Sequence, residues 1–392
     1  MPLLHRLCYI GFHVLEKEHL AKDLVSKFGF ELFATRKAES SRQLALRRGD
    51  AIFVVNEKRQ EIPGEVAPEP SSDSGILYDV DLQYAVSTAS NIGFETEDVP
   101  GFTLSLQERG CQVLIPPTTV ADEDGCVIYS VVKSIVGNIS HTLLDRSQYC
   151  GLFLPGFQVE KDALNKFQKI GEITHFDHIT FVCPQGSTQA LLEWYETCFD
   201  FQRFLVHKQD DIAEGYVIHG AGVGLRLTAM WYSGLEHDCK FILAESMPKQ
   251  RQNQVDSFLE QHGGAGIQHV ALYSTDIIST VAAMAKSGVN FVKTPLAYYT
   301  EKRKMQEIQR SGQNLQLLKD HGILLDAAVD EEGDQSDSAL HGKQFLMQIF
   351  TKPLFREETF FLEVIERCGA AGFGEGNIRA LWQAVQNYLG HQ

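Results

Sequence analysis

The sequence contains no apolar run longer than about six residues, where a membrane-spanning helix needs ~18. No transmembrane segment is therefore expected. None of the 8 cysteines forms a C-x-x-C pair, and Cys8 and Cys183 lie inside apolar, strand-like runs. That pattern predicts reduced, buried thiols and excludes a disulfide framework. Basic residues are outnumbered, 35 Lys and Arg against 51 Asp and Glu, and no basic stripe appears, so nucleic acid is not an expected partner. The N-terminus enters a strand almost at once, which leaves no room for a cleavable signal or transit helix. What is present is a globular balance of 44% hydrophobic and 22% charged residues, incompatible with disorder, collagen or coiled coil. The 24 Phe predict an aromatic-rich interior, and 392 residues predict two or three domains.

Internal repetition organises the chain. RLCYIGFHV and FDHITFVC each open a strand, followed by an amphipathic helix that ends near Gly29-Phe30 or Asp200-Phe201 and then by further strands. A second pair, SNIGFETEDV (90–99) and QHVALYSTDI (268–277), aligns without a gap. The interval from Asn91 to Gly110 and Pro117 equals that from His269 to Gly288 and Pro295, and closing strands HTLLDR (141–146) and LEVIER (362–367) follow. These units predict an α+β fold of four βαβββ modules paired into two halves, 1–155 and 172–392, with a join near 151–172. Residues 56–75 read as an exposed loop and 326–338 as a solvated acidic hairpin. The chain closes on a helix from Asn377 with Ile378, Leu381, Trp382, Val385 and Leu389 on one face, behind a Gly-Phe-Gly-x-Gly hinge.

Three residues of the second half carry the strongest chemical signal. His178 lies in the strand FDHITF, His269 in IQHVAL and Glu363 in FFLEVI. Both faces of the Glu363 strand are apolar, so its carboxylate is expected to be buried, and a buried carboxylate needs a cation or strong donors. In the repeat alignment the three correspond to Tyr9, Asn91 and Thr142, so all three ligand types vanish together from the first half. Two histidines and a carboxylate from separate strands match the facial triad of non-haem Fe(II) oxygenases, with Zn²⁺ as the competing metal. His175 falls on the opposite strand face, and His13, His207, His219 and His237 show no partner pattern.

At these residues, and in GGAGIQHVAL, QIFTKPLF and FFLEVIERCGAAGFGEGN, the sequence resembles the 4-hydroxyphenylpyruvate dioxygenase family of the vicinal-oxygen-chelate superfamily, and within it the animal dioxygenase-like paralogues. The resemblance covers nearly the whole chain. It implies two tandem vicinal-oxygen-chelate domains, the first metal-free, the second holding one Fe(II) on His178, His269 and Glu363 and closed by a C-terminal gating helix. It further assigns Gln254, Gln268 and Gln348 to the substrate pocket, Phe350 and Phe373 to the rings that pack on substrate, and Gly374, Gly376 and Asn377 to the segment before the gate. Two departures stand out: Leu227 replaces a pocket serine and Ala244 a pocket asparagine.

The implied partners are O₂ and an aryl α-keto acid such as 4-hydroxyphenylpyruvate, which chelates the metal through its carboxylate and keto oxygen and serves as its own reductant. Loss of two polar pocket groups tilts the expected product from homogentisate to 4-hydroxymandelate, oxidised at the benzylic carbon. The resemblance also suggests a mitochondrial location, with the cytoplasm as alternative, and supply of quinone (ubiquinone) head groups. A homodimer is compatible with it. A glyoxalase-type isomerase and a non-catalytic binding protein are the competing classes.

Overall fold

The computed structural model describes residues 3–15, 19–38, 41–58, 75–81, 84–159, 171–205, 215–220, 223–248, 253–327, 344–374 and 376–378. The first half contains strands β1 (Leu4–Val14), β2 (Glu31–Lys37), β3 (Ser41–Arg48), β4 (Ala51–Lys58), β5 (Thr88–Thr96), β6 (Val113–Asp122), β7 (Gly125–Lys133), β8 (Ser140–Asp145) and β9 (Gln158–Val159), with helices α1 (Leu20–Ser26) and α2 (Val99–Glu108). The second contains β10 (Ile173–Val182), β11 (Gln202–Phe204), β12 (Tyr216–Gly220), β13 (Val223–Trp231), β14 (Lys240–Ser246), β15 (Gly266–Ser274), β16 (Leu324–Ala327), β17 (Phe345–Phe350) and β18 (Phe361–Cys368). Its helices are α3 (Thr188–Phe199), α4 (Gln254–His262), α5 (Ile277–Lys286), α6 (Leu296–Thr300), α7 (Lys302–Ser311) and α8 (Leu315–His321).

Each half builds one nine-stranded mixed sheet. The first runs β6-β7-β8-β5-β1-β4-β3-β2-β9 and the second β16-β17-β18-β15-β10-β14-β13-β11, with β12 also on β13. Read in this direction the two orders match strand for strand through β3 and β13, as the repeat predicts. The short helices end where left-handed residues turn the chain, at Gly29 (φ 70°) and Asp200 (φ 59°), and Phe30 and Phe201 then enter the core. The first sheet runs past residue 155, the end expected for the first half, because β9 pairs with β2 at Ala34 and Val159. The thiol expectation needs correction as well. All eight cysteines are free, but Cys126 is only half-buried and Cys150 and Cys368 are exposed, the former beyond β8 and the latter at the end of β18.

The halves are held together by phenylalanine. One core spans both sheets, with Phe53 against Phe176 at 5.1 Å between ring centroids, Phe12 against Phe360 at 5.0 Å and Phe94 against Phe241 at 6.3 Å. This packing seats β10, which carries His178, on a rigid backing. Most of the 56–75 loop, of the acidic hairpin and of the C-terminal helix lies outside the described residues, as do Leu381, Trp382, Val385, Leu389 and His207.

Phe53 is fully buried and also touches Phe12 at 5.2 Å and Phe30 at 5.1 Å. Truncation to alanine should cost about 3–5 kcal/mol, the range for deleting a buried aromatic ring. Urea unfolding measures this directly, and a loss below about 1 kcal/mol would mean that the junction is not a packed core.

Candidate metal centre

Strand register decides what meets at the centre of the second sheet. His178 lies opposite Ala271 on β15, Ala271 opposite Glu363 on β18, and Thr180 opposite His269. Side chains alternate along a strand, so His178, His269 and Glu363 emerge on one face. Two β-bulges add to them. Between Phe176 and His178 the pairing advances two residues on β10 for one on β15, and between Thr180 and Phe181 it advances one residue for two. A bulge disrupts the alternation locally and re-aims side chains. Asp177 is thereby brought to the His178 ring, and Gln268 faces the same cavity as His269.

The three candidate ligands lie within 4.8 Å of one another. His178 Nε2 is 3.2 Å from Glu363 Oε2 and His269 Nε2 is 3.5 Å from the same oxygen. Ligand atoms held ~2 Å from one ion at right angles stand about 3 Å apart, so these separations suit a facial His₂Glu set. Burial alone would depress His178, but the Glu363 and Asp177 carboxylates on either side push it up to about 9. Burial raises Glu363, with His178 opposing. Burial and then the His178 charge hold His269 well below the usual range, leaving it neutral and ready to ligate. Burial works against Asp177, yet Arg367 and His178 hold it well below the usual carboxylate range.

The donors fit a divalent cation. Glu363 Oε1 and His269 Nδ1 are buried without a hydrogen-bond partner, which leaves a 1%-exposed carboxylate satisfied only through its other oxygen. His178 Nδ1 donates to Asp177 Oδ1 at 2.7 Å, which turns Nε2 toward Glu363 and His269. Phe361, a residue the sequence reading did not single out, stacks on His269 at 4.7 Å between centroids and limits its rotation.

Beside His269 opens a cavity of about 470 Å³. Gln254, Gln268 and Phe350 line it as the sequence reading expects, and Ser257, Gln261 and Phe361 join them. Gln254, Ser257 and Gln261 form a stripe along α4, spaced at three and four residues, a signal legible in the sequence only once α4 is known to face a cavity. Gln348 is fully buried, with neither amide atom hydrogen-bonded, and Gly374 rests against it so closely that a Cβ there would overlap its Oε1. Phe373 packs instead among Leu227, Ala244 and Phe258. Asn377 does not line the cavity. Its Oδ1 accepts from the Tyr298 hydroxyl at 2.7 Å, which makes it an anchor for the chain leading to the terminus.

The first half holds the corresponding positions without charge. Ile10 pairs with Ile92 as Ile179 does with Val270, so the register equates Tyr9, Asn91 and Thr142 with the three ligands. Asn91 Nδ2 donates to Thr142 Oγ1 at 2.9 Å, while the Tyr9 and Thr142 hydroxyls both donate to the Tyr78 carbonyl at 2.7 Å. Asp79 accepts from Asn91 and pairs with His13 at 2.8 Å, a partnership the sequence did not reveal. The segment around Tyr78 thus fills the space that stays open in the second half. His175 and His237 stack on each other at 4.2 Å, away from the metal centre.

A family profile described as Glyoxalase/Bleomycin resistance protein/Dioxygenase superfamily matches residues 175–321. The mouse (Mus musculus) 4-hydroxyphenylpyruvate dioxygenase-like protein is 43% identical over 97% of this chain and 96% of its own length. The chain belongs to the 4-hydroxyphenylpyruvate dioxygenase-like family. The 4-hydroxyphenylpyruvate dioxygenase of Tetrahymena thermophila is 29% identical over 96% of this chain and 88% of its own. Among solved structures, a mutant 4-hydroxymandelate synthase from Streptomyces coelicolor superposes with a TM-score of 0.73 at 24% identity, covering 99% of both chains. This likeness establishes the tandem vicinal-oxygen-chelate fold of the family, an α+β architecture.

A metal must displace the proton that His178 retains up to about pH 9. Between pH 6.5 and 8.5, apparent affinity for Co(II) should therefore rise about tenfold per pH unit, and His178→Ala should abolish stoichiometric binding. Titration followed by visible absorption checks both. A pH-independent affinity, or a full equivalent of metal on the variant, would remove His178 from the ligand set.

Proposed function

We propose that this chain is an Fe(II)-dependent dioxygenase that decarboxylates an aryl α-keto acid and oxidises its benzylic carbon, converting 4-hydroxyphenylpyruvate and O₂ to 4-hydroxymandelate and CO₂. The observation that carries the reading is the buried His178–His269–Glu363 cluster at the edge of a cavity whose described lining includes no Lys or Arg. A substrate carboxylate entering such a cavity finds no protein cation, so its counter-charge has to come from the metal. When bound, ferrous iron would supply chelation of the keto acid and activation of O₂.

The chain's own groups bind and orient the substrate. Phe350 and Phe361, 6.0 Å apart between ring centroids, form an aromatic wall beside His269. Gln254, Ser257, Gln261 and Gln268 offer amide and hydroxyl partners to a neutral polar substituent such as a phenol. Behind Phe258, which lines the cavity, lies an apolar cluster. Leu227 and Ala244 are directly paired across β13 and β14, both are 5% exposed, and Phe373 packs on them. A ring held by hydrogen bonds on one side only is free to shift relative to the metal, and displacement of about an ångström is enough to exchange one reacting carbon for another. The same resemblance motivates a mitochondrial location and a role in quinone head-group supply, which subcellular fractionation and quinone measurement in depleted cells would test.

Iron-loaded protein should consume O₂ with 4-hydroxyphenylpyruvate, without added 2-oxoglutarate, and release 4-hydroxymandelate. Homogentisate has the same mass, so chromatography against both standards decides the product. Predominant homogentisate would establish the ring-hydroxylating reading, and no uptake with any aryl-pyruvate would establish a binding protein. Leu227→Ser combined with Ala244→Asn should move the product ratio toward homogentisate by about tenfold, the worth of one buried hydrogen bond of ~1–1.5 kcal/mol.

A further inference from the structure

Four residues beyond Glu363 on β18, Arg367 reaches back across the sheet to Asp177. Its Nε donates to Asp177 Oδ2 at 2.6 Å and its Nη2 to Oδ1 at 2.7 Å, a two-pronged pair on the carboxylate that also accepts from His178 Nδ1. The remaining nitrogen, Nη1, donates to the carbonyls of Ala370, at 3.1 Å, and Gly372. Phe373 and Gly374 follow immediately, one packed on Leu227 and Phe258, the other on the Gln348 amide. One guanidinium therefore holds both the partner of a metal ligand and the loop whose Phe373 backs the cavity-lining Phe258.

The first half supplies an internal control. By register Cys8 stands where Asp177 does, and Arg146 where Arg367 does. The arginine persists, but Cys8 offers it no carboxylate, and it lines a surface cavity with Arg6, Glu95, Tyr149 and Glu236. Asp177 is thus missing from the half that also lacks the three ligands, although the strands and the bulge beneath it remain. The pair goes with the metal centre rather than with the sheet.

We propose that Asp177 and Arg367 are positioning residues that couple the metal centre to the 370–374 loop. Orientation of the His178 ring and docking of the loop share one guanidinium, so a filled metal site steadies the loop, and a docked loop strengthens metal binding by the same factor. This inference rests on the metal reading above and extends it from the ligands to the loop behind the cavity.

Hydrogen exchange on the full chain, with and without saturating Co(II), tests it without reference to turnover. In the wild type, metal should slow exchange of the amides at 371–374. Arg367→Met should bind Co(II) about 10–100-fold more weakly, the usual cost of losing an outer-shell partner, and its loop should gain no protection at saturation. Arg367→Lys can pair with Asp177 but cannot serve both ends, so it should recover part of the affinity, short of the share the loop contributes, without loop protection. Should Arg367→Met fail to fold, Asp177→Asn preserves shape while removing the charge and should show the same two losses. Wild-type affinity in Arg367→Met and Asp177→Asn, or a wild-type loop indifferent to metal, would overturn the coupling alone. A wild-type protein that binds no metal would overturn both the coupling and the proposed function.

Discussion

The second half is organised around one costly object, the Glu363 carboxylate placed at the centre of a sheet with 1% exposure. A charge so deeply buried persists only with compensation. In the metal-free protein the compensation comes from His178, held between Glu363 and Asp177, with Arg367 balancing Asp177 from the far side. Two anions and two cations then sum to neutrality. Replacing the His178 proton by a divalent ion leaves a net single positive charge. That charge suits a monoanionic keto acid in a cavity whose described lining supplies no other cation.

The first half shows what the same backbone does when that charge is omitted. Tyr9, Asn91 and Thr142 hydrogen-bond to one another's surroundings and to the Tyr78 carbonyl, and the chain around Tyr78 lies where the second half has α4 and an open cavity. The three positions are uncharged and hydrogen-bonded, and the one carboxylate they touch, Asp79, is itself paired with His13, so no buried ligand set is left to satisfy. One backbone, used twice, therefore buries a hydrogen-bonded network in the first half and an ionised cluster in the second. The phenylalanines between them make the first half the backing for β10.

The architecture and the triad were legible in the sequence because both rest on periodicity. Equal spacing from Asn91 and His269 to their following Gly and Pro reflects identical strand order, and the alternation around Glu363 places it inward. What escaped notice depends on exceptions to periodicity. Asp177 precedes His178, so strict alternation sends it to the opposite face, and only the bulge returns it to the imidazole. Arg367 reads as the polar end of a strand until its loop contacts are known. His13 finds Asp79 across a stretch of chain with no regular pattern. Asn377 shows a related limit: a motif locates a residue along the chain, but Tyr298, far away in sequence, determines where its side chain points.

The position of the ligands on strands rather than loops bears on how the site could change its chemistry. His178, His269 and Glu363 are fixed by register, bulges and a phenylalanine core, so substitutions that moved them would disturb the whole sheet. The cavity wall is built differently. Leu227, Ala244 and Phe373 meet in a small apolar cluster, distinct from the main core, that Val255 and Phe258 of α4 join from behind the polar stripe of the same helix. Residues there can vary at a cost of a hydrogen bond or a methylene, without reaching the metal. Chemistry common to a family would then reside in the sheet, and the choice of reacting carbon in the wall facing it.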